Sequence, residues 1–288
     1  NLNWQLMVAS LFVPLALYGY LLIGQTFPQT ERVTLGVNKK DALKSLTKPL
    51  FLFIAFCMLL SASTELGTTQ RIESLLRETG VNALLILAFI NGIMIFGRAF
   101  AGPIATKINT TGMLFASSIF AFIGLQMLAN TEVFNVFLAA SVFAIGITFF
   151  WPTTLGVVSE QCPKGGALTL NAIAGIGMLA VGILGGPVIG KLTEDSIKAS
   201  IEEATTEETY QSVSNDSTYF LGDYTAVDAG KVEALTDEKD KKTVQESIQS
   251  GKQGSLASIA IFPVFMLLCY LGLIFHFKSK GGYKPVEI

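Results

Sequence analysis

The chain has 288 residues, of which 51% are hydrophobic and 15% charged, with a formal net charge of −2. The charges gather between long apolar runs, which excludes an ordinary water-soluble domain, and no basic stripe points to nucleic acid. Three cysteines and a single histidine give no basis for a disulfide framework, a metal-ligand cluster or histidine-based catalysis.

Apolar stretches follow one another at 4–25, 49–66, 81–105, 112–129, 134–158, 166–190 and 256–277. Each reaches or approaches the ~20 residues that a helix needs to cross ~30 Å of hydrocarbon. The runs are apolar on both faces, unlike the alternating strands of a membrane barrel. An all-α polytopic membrane protein is expected. The first span begins almost at the first residue, so further spans are expected upstream.

Lysine and arginine fall on alternate connections. Segment 26–48 carries Arg32, Lys39, Lys40, Lys44 and Lys48; 106–111 carries Lys107; 159–165 carries Lys164; the tail carries Lys278, Lys280 and Lys284. The positive-inside rule puts these four in the cytoplasm. Segment 67–80 balances Arg71 and Arg77 with Glu73 and Glu78, and the turn 130–133 holds Glu132 but no base. Residues 192–255 then form a polar insertion on the outer face, with fourteen acids against six lysines, a net of −8. Stretches 193–209 and 229–249 look helical. Hydrophobicity this low argues for a solvated cap or spacer rather than an independent core, with partner docking or substrate capture as the alternative.

Two spans share an ending. The third finishes Gly102-Pro103-Ile104-Ala105-Thr106-Lys107 and the sixth Gly186-Pro187-Val188-Ile189-Gly190-Lys191. They lie three spans apart, the separation of equivalent elements in inverted-repeat transporters. With the out-to-in first span and the basic linker 26–48, this resembles the C-terminal half of a major facilitator superfamily transporter. Gly97-Arg98-Ala99-Phe100-Ala101-Gly102-Pro103-Ile104-Ala105-Thr106-Lys107 sits where that superfamily has its Gly/Arg-rich loop between helices eight and nine. The usual acidic residue is absent there, and Pro103 stands instead. Within the superfamily, Phe149-Phe150-Trp151-Pro152-Thr153-Thr154, followed by Gly165-Gly166-Ala167, is similar to the fucose–proton symporter branch.

The resemblance implies helices six to twelve of a major-facilitator-type bundle. Residues 1–25 would be the last helix of the N-terminal half and 26–48 a cytoplasmic inter-half linker. Helices seven to eleven would span 49–191, with an acidic extracytoplasmic loop at 192–255, then helix twelve and a cytoplasmic tail at 256–288. It implies proton-coupled sugar transport by alternating access, with no cofactor and no enzymatic step. The partners would be a small solute, the bilayer (a bacterial inner membrane) and the missing N-terminal half. A nucleoside, organic-anion or drug transporter of the same fold is one alternative; a non-transporting membrane subunit is another.

Glu65 is the costly residue, because a carboxylate at mid-span costs ~2.5–3.5 kcal/mol on insertion scales and less near the edge. With Thr64 beside it and small or hydroxyl neighbours around it, it is either a substrate acceptor or proton site, or a boundary carboxylate paired with Arg71. Asn91, Gln126 and Asn171 either bond neighbouring helices or face the substrate. Trp151 either stacks on a sugar ring or anchors the interface. Arg98, Lys107 and Glu160 are expected at a cytoplasmic gate, with Arg98 and Glu160 in contact when the inner side is closed; the alternative for Arg98 is a snorkelling side chain with no special partner, and Asn171 lies close enough to that face to be a gate or boundary residue. The series Gly97, Ala101, Ala105 and Gly182, Gly186, Gly190 are expected to face the missing half.

Overall fold

The computed structural model describes residues 4–29, 34, 36–76, 81–131, 134–219 and 222–287. Arg32, Arg77, Glu78 and Glu132 lie outside the described residues. Residues 1–38 form a unit of their own. It contains α1 (Trp4–Ala9) and α2 (Phe12–Leu22), and every described residue of both helices is exposed.

The second unit starts at Lys39. Helix α3 (Lys39–Leu46) belongs to it rather than to a loose linker: its buried Ala42 and Ser45 pack it on the bundle beside the tight turn Pro163–Gly165. Helix α4 (Pro49–Ala62) runs into a π-helical turn, Ser63–Gly67, and short α5 (Ile72–Leu75) follows. Helices α6 (Ala83–Ala99) and α7 (Ala101–Ile108) form one interrupted rod, and Asn109 turns the chain into α8 (Thr110–Ala129). Then come α9 (Val136–Thr148) and α10 (Phe150–Gln161). Helix α11 (Ala167–Ala180) passes through a second π-turn, Val181–Gly185, into α12 (Gly186–Ala204).

Among the described residues six helical rods are long and apolar enough to cross a membrane, with 83–99 a shorter apolar helix. This is an all-α polytopic membrane protein. Its interior is sealed by backbone contact where α8 crosses α9. A side chain at Gly124 would overlap the backbone of Phe143, and one at Gly146 would overlap the backbone of Ala121. Small residues are what allow such approach where no hydrophobic effect drives helices together.

Five interruptions share one cause. A proline has no N–H for the carbonyl four residues before it, and its ring crowds that carbonyl. The α1/α2 break at Ser10 precedes Pro14, and the α6/α7 break at Ala99–Phe100 precedes Pro103. The α9/α10 break at Thr148–Phe149 precedes Pro152, and the second π-turn holds Ile183, four before Pro187. The fifth, at Ile259–Ala260, precedes Pro263. The two Gly-Pro endings therefore differ in outcome: Pro103 splits a helix, whereas Pro187 leaves a π-bulge in a continuous one.

The stretch 192–255 is not a loop. Helix α12 carries the sixth apolar run on to Ala204, and α13 (Glu207–Val213), an antiparallel hairpin and α14 (Ala229–Glu233) follow. The hairpin pairs β1 (Ser214–Tyr219) with β2 (Gly222–Val227), Ser214 opposite Val227. Helix α15 (Glu238–Ile259) then returns to α16 (Ile261–Ser279). Contrary to expectation this cap has its own core, made of Ile197, Ile201, Tyr210, Val213, Val232 and Val244. Few apolar residues suffice because α12 and α15 touch backbone to backbone: a Cβ on Gly251 would lie 2.5 Å from Ile197 Cα. Gln126 and Gln253 tie cap to bundle, donating to Ala257 O (3.2 Å) and Leu128 O (3.3 Å).

Candidate functional site

Glu65 sits in the first π-turn, almost wholly buried. A π-turn widens the helix by one residue and breaks the regular ladder, a feature often found at functional positions. The second π-turn packs directly against it, with Gly185 facing Ser63. One helix crossing thus carries both irregularities.

Arg98 reaches this crossing from α6. Its Nη2 donates to Glu65 Oε1 at 2.9 Å, and its Nε donates to Thr148 O at 3.0 Å. The second bond follows from the sequence. Thr148 O would accept from residue 152 in a regular helix, but residue 152 is proline and has no N–H. Gly97 lets α6 come close enough, since a Cβ there would be 2.8 Å from the Thr148 methyl. A fork of guanidinium donors bridging a carboxylate and an orphan carbonyl fixes both geometry and charge.

The arrangement is asymmetric. The Arg98 side chain is 42% exposed, whereas that of Glu65 is 6% exposed. Glu65 Oε2 is buried without a hydrogen-bond partner, as is Thr68 Oγ1 a turn later. One turn earlier on the same helix, Ser61 lies beside the Tyr270 hydroxyl, which also neighbours Thr154. Tyr270 Oη and Thr154 Oγ1 are likewise buried without closing a bond. Buried polar atoms left open are rare and mark places where something else binds or moves.

The expected Arg98–Glu160 gate contact does not form. Glu160 lies in the last turn of α10, twelve residues beyond the Thr148 carbonyl that holds Arg98, or about 18 Å along a helix. There it accepts a bond from the Tyr283 hydroxyl, and its backbone carbonyl accepts from Val286 N at 2.8 Å. Gln161 Nε2 donates to Lys284 O at 2.9 Å, so the tail is strapped to this helix end. Burial and the adjacent Glu160 push the Tyr283 phenol above its ordinary range, so it remains a donor there. The rod that carries Arg98 continues past residue 105 to Ile108. Lys107 is exposed at that end, far along the helix from Arg98.

The other candidates scatter. Thr64 is fully buried and donates to Leu60 O at 2.8 Å. Arg71 does not pair with Glu65; it donates to Gly186 O at 3.1 Å. Gln126 is spent on the cap helix. Trp151 packs edge-on against the position of Gly177, beside Met58, inside the bundle. Asn91 is exposed and donates to Leu87 O of its own helix (2.9 Å). Asn171 is exposed on α11. Of the glycine series, Gly97 packs inside this chain against Thr148, and Phe100 interrupts the 97–105 run; Gly182 faces open space. Thr148, Ser61, Thr154 and Tyr270 are absent from the sequence candidates. Pro152 is the signal in the sequence that points to Thr148.

No family model and no curated protein matches the sequence. A crystal structure of a bacterial homolog of the human lysosomal transporter Spinster, inward-facing and unoccupied, superposes with a TM-score of 0.66 at 16% identity. The match covers 91% of this chain and 55% of that one, so the chain spans about half the length of the protein it resembles. The likeness shows that this chain shares the helical fold of that part of the structure.

Proposed function

We propose that this chain is the C-terminal half of a secondary active transporter that moves a small polar solute, sugar first, by proton-coupled alternating access. On this reading its rods are helices six to twelve, 26–48 joins the halves on the cytoplasmic side, and the cap is extracytoplasmic. The observation that carries the proposal is the buried Glu65 paired with the partly exposed Arg98, set where two π-turns meet and left with one open carboxylate oxygen.

Its chemistry suits a coupled switch. A proton arriving at Oε2 neutralises Glu65 and removes the charge that holds Nη2. Arg98 stays cationic and keeps the Thr148 carbonyl, and its freed donors turn to a solute hydroxyl or to a facing helix. Loss of the proton restores the pair. Asn91 shares an exposed face of α6 with Arg98, at helical spacing. Asn171, Gly175 and Gly182 share an exposed face of α11. Polar or small residues left uncovered on two rods fit a cavity completed by another half.

The test is uptake by the full-length protein in liposomes, using labelled sugars and nucleosides with and without a protonophore. For Glu65→Gln, proton-driven accumulation is expected to fall at least tenfold while exchange of solute down its own gradient survives. If both modes run normally at equal expression, Glu65 is not the coupling site.

A further inference from the structure

A cavity of about 390 Å³ lies where α12 leaves the bundle and the cap hairpin folds back over it. Its volume falls within the ~300–1,000 Å³ of small-molecule sites. The wall from the bundle is Arg71. The wall from α12 carries Gly186, Gly190 and Lys191, and strand β2 contributes Tyr224.

Two features set its chemistry. Arg71 is held in place by its bond to Gly186 O, and its terminal nitrogens stand 3.9–4.0 Å from where a Cβ on Gly190 would be. The missing side chain at Gly190 therefore leaves the guanidinium facing the cavity. Lys191 follows on the same helix. Neither cation takes part in an ion pair among the described residues. Glu194 also borders the cavity, but its Oε2 accepts from Val227 N at 3.2 Å, and the cation acting on it is Lys252. Glu194 thereby pins the hairpin, and the lining holds two cations, Arg71 and Lys191, against this one carboxyl group.

We propose that this cavity binds a small organic anion, a carboxylate or phosphate monoester held by Arg71 and Lys191, with a compact ring against Tyr224. A free solute and the headgroup of an anionic lipid both offer that chemistry at this position. The site is separate from the Glu65–Arg98 pair, and its occupancy does not depend on the transport proposal.

The experiment is calorimetric titration of phenyl phosphate into the full chain in phosphatidylcholine nanodiscs, with benzyl alcohol as the neutral match. Saturable binding of the phosphate alone is expected, weakened at least tenfold by Lys191→Gln and by Arg71→Gln, and about threefold by Tyr224→Ala. Lys191 is exposed, so its variant keeps the fold even if Arg71→Gln does not. Repeating the titration with phosphatidylglycerol in the disc identifies the source. Competition assigns the site to a lipid headgroup, unchanged affinity assigns it to a free solute, and either result upholds an anion site. Absence of saturable binding, or binding by both charge variants equal to that of the parent chain, overturns it. Glu65→Gln is expected to bind phenyl phosphate like the parent chain, so failure of either proposal is visible without the other.

Discussion

Helices α11–α12 and α15–α16 each pass from an apolar bundle into a polar cap, and the two regions are built by different rules. In the bundle, neutral asparagines cap helices: Asn82 accepts from Leu84 N, Asn109 from Gly112 N and Asn135 from Phe137 N. In the cap the same task falls to Thr206, Asp228 and Asp237. All supply an oxygen to an orphan N–H, but a carboxylate is cheap only where water solvates it. The interiors differ as well. Both use glycine-mediated backbone contact, but the bundle leaves many large apolar side chains exposed, among them Leu84, Ile95, Met178 and Phe275. The cap hides a small cluster of aliphatic residues and one tyrosine under a charged surface. The surrounding solvent dictates which residue performs a given structural task.

The sharpest way to break this comparison is to unpair the charge that the bundle does tolerate. Arg98→Ala leaves Glu65 buried and alone; truncating one partner of a fully buried pair costs about 3–5 kcal/mol, and the partial exposure of Arg98 lowers that to roughly 1–3 kcal/mol. A large fall in the unfolding midpoint is expected, with most of it recovered in the Arg98→Ala/Glu65→Gln double variant. Equal stability of the single and double variants would mean that the pair does not hold the crossing together.

The cap should respond differently. Ile201→Ala removes a fully buried side chain from a small core, a change that costs about 2–4 kcal/mol. Hydrogen exchange should then rise across 192–255 while α8 and α9 stay protected. Uniform loss of protection in both regions would show that cap and bundle unfold as one.

The smallest effect concerns capping. Asp237→Asn is expected to change stability by less than about 0.5 kcal/mol, because the two residues cap almost equally well. Asn135→Asp is expected to cost more in bilayers than in detergent micelles, whose headgroup region admits more water. If both substitutions behave alike in both environments, solvent does not explain the choice.

The apolar segments are legible because burial in lipid demands long continuous runs, and the structure adds breaks that the prolines already encode. The site is less legible. Glu65 stands out as a carboxylate in an apolar run, but its partner lies 33 residues away on another rod, and spacing within one helix says nothing of that. The run 81–105 reads as one span that places Arg98 toward its end, whereas the structure breaks the rod at Phe100 and turns Arg98 back to Glu65 and Thr148. The cap's core is hidden by averaging: Ile197 and Ile201 are one helical turn apart, yet the acids around them make the whole stretch read as polar. The hairpin escapes for a similar reason, since Ser-Asn-Asp-Ser-Thr-Tyr has little of the apolar alternation that signals a strand.

The second π-turn lies at the foot of a long, stiff arm. Helix α12 extends 19 residues beyond it, about 28 Å at 1.5 Å per residue. Any change in angle at Val181–Gly185 is therefore magnified along α12. A tilt of about 10° would carry the far end through about 5 Å, by simple trigonometry on that length. The cap can thus serve as a pointer whose displacement reads out rearrangements at the Glu65 crossing. A fluorophore near Ala204 would register them without touching the membrane-embedded residues.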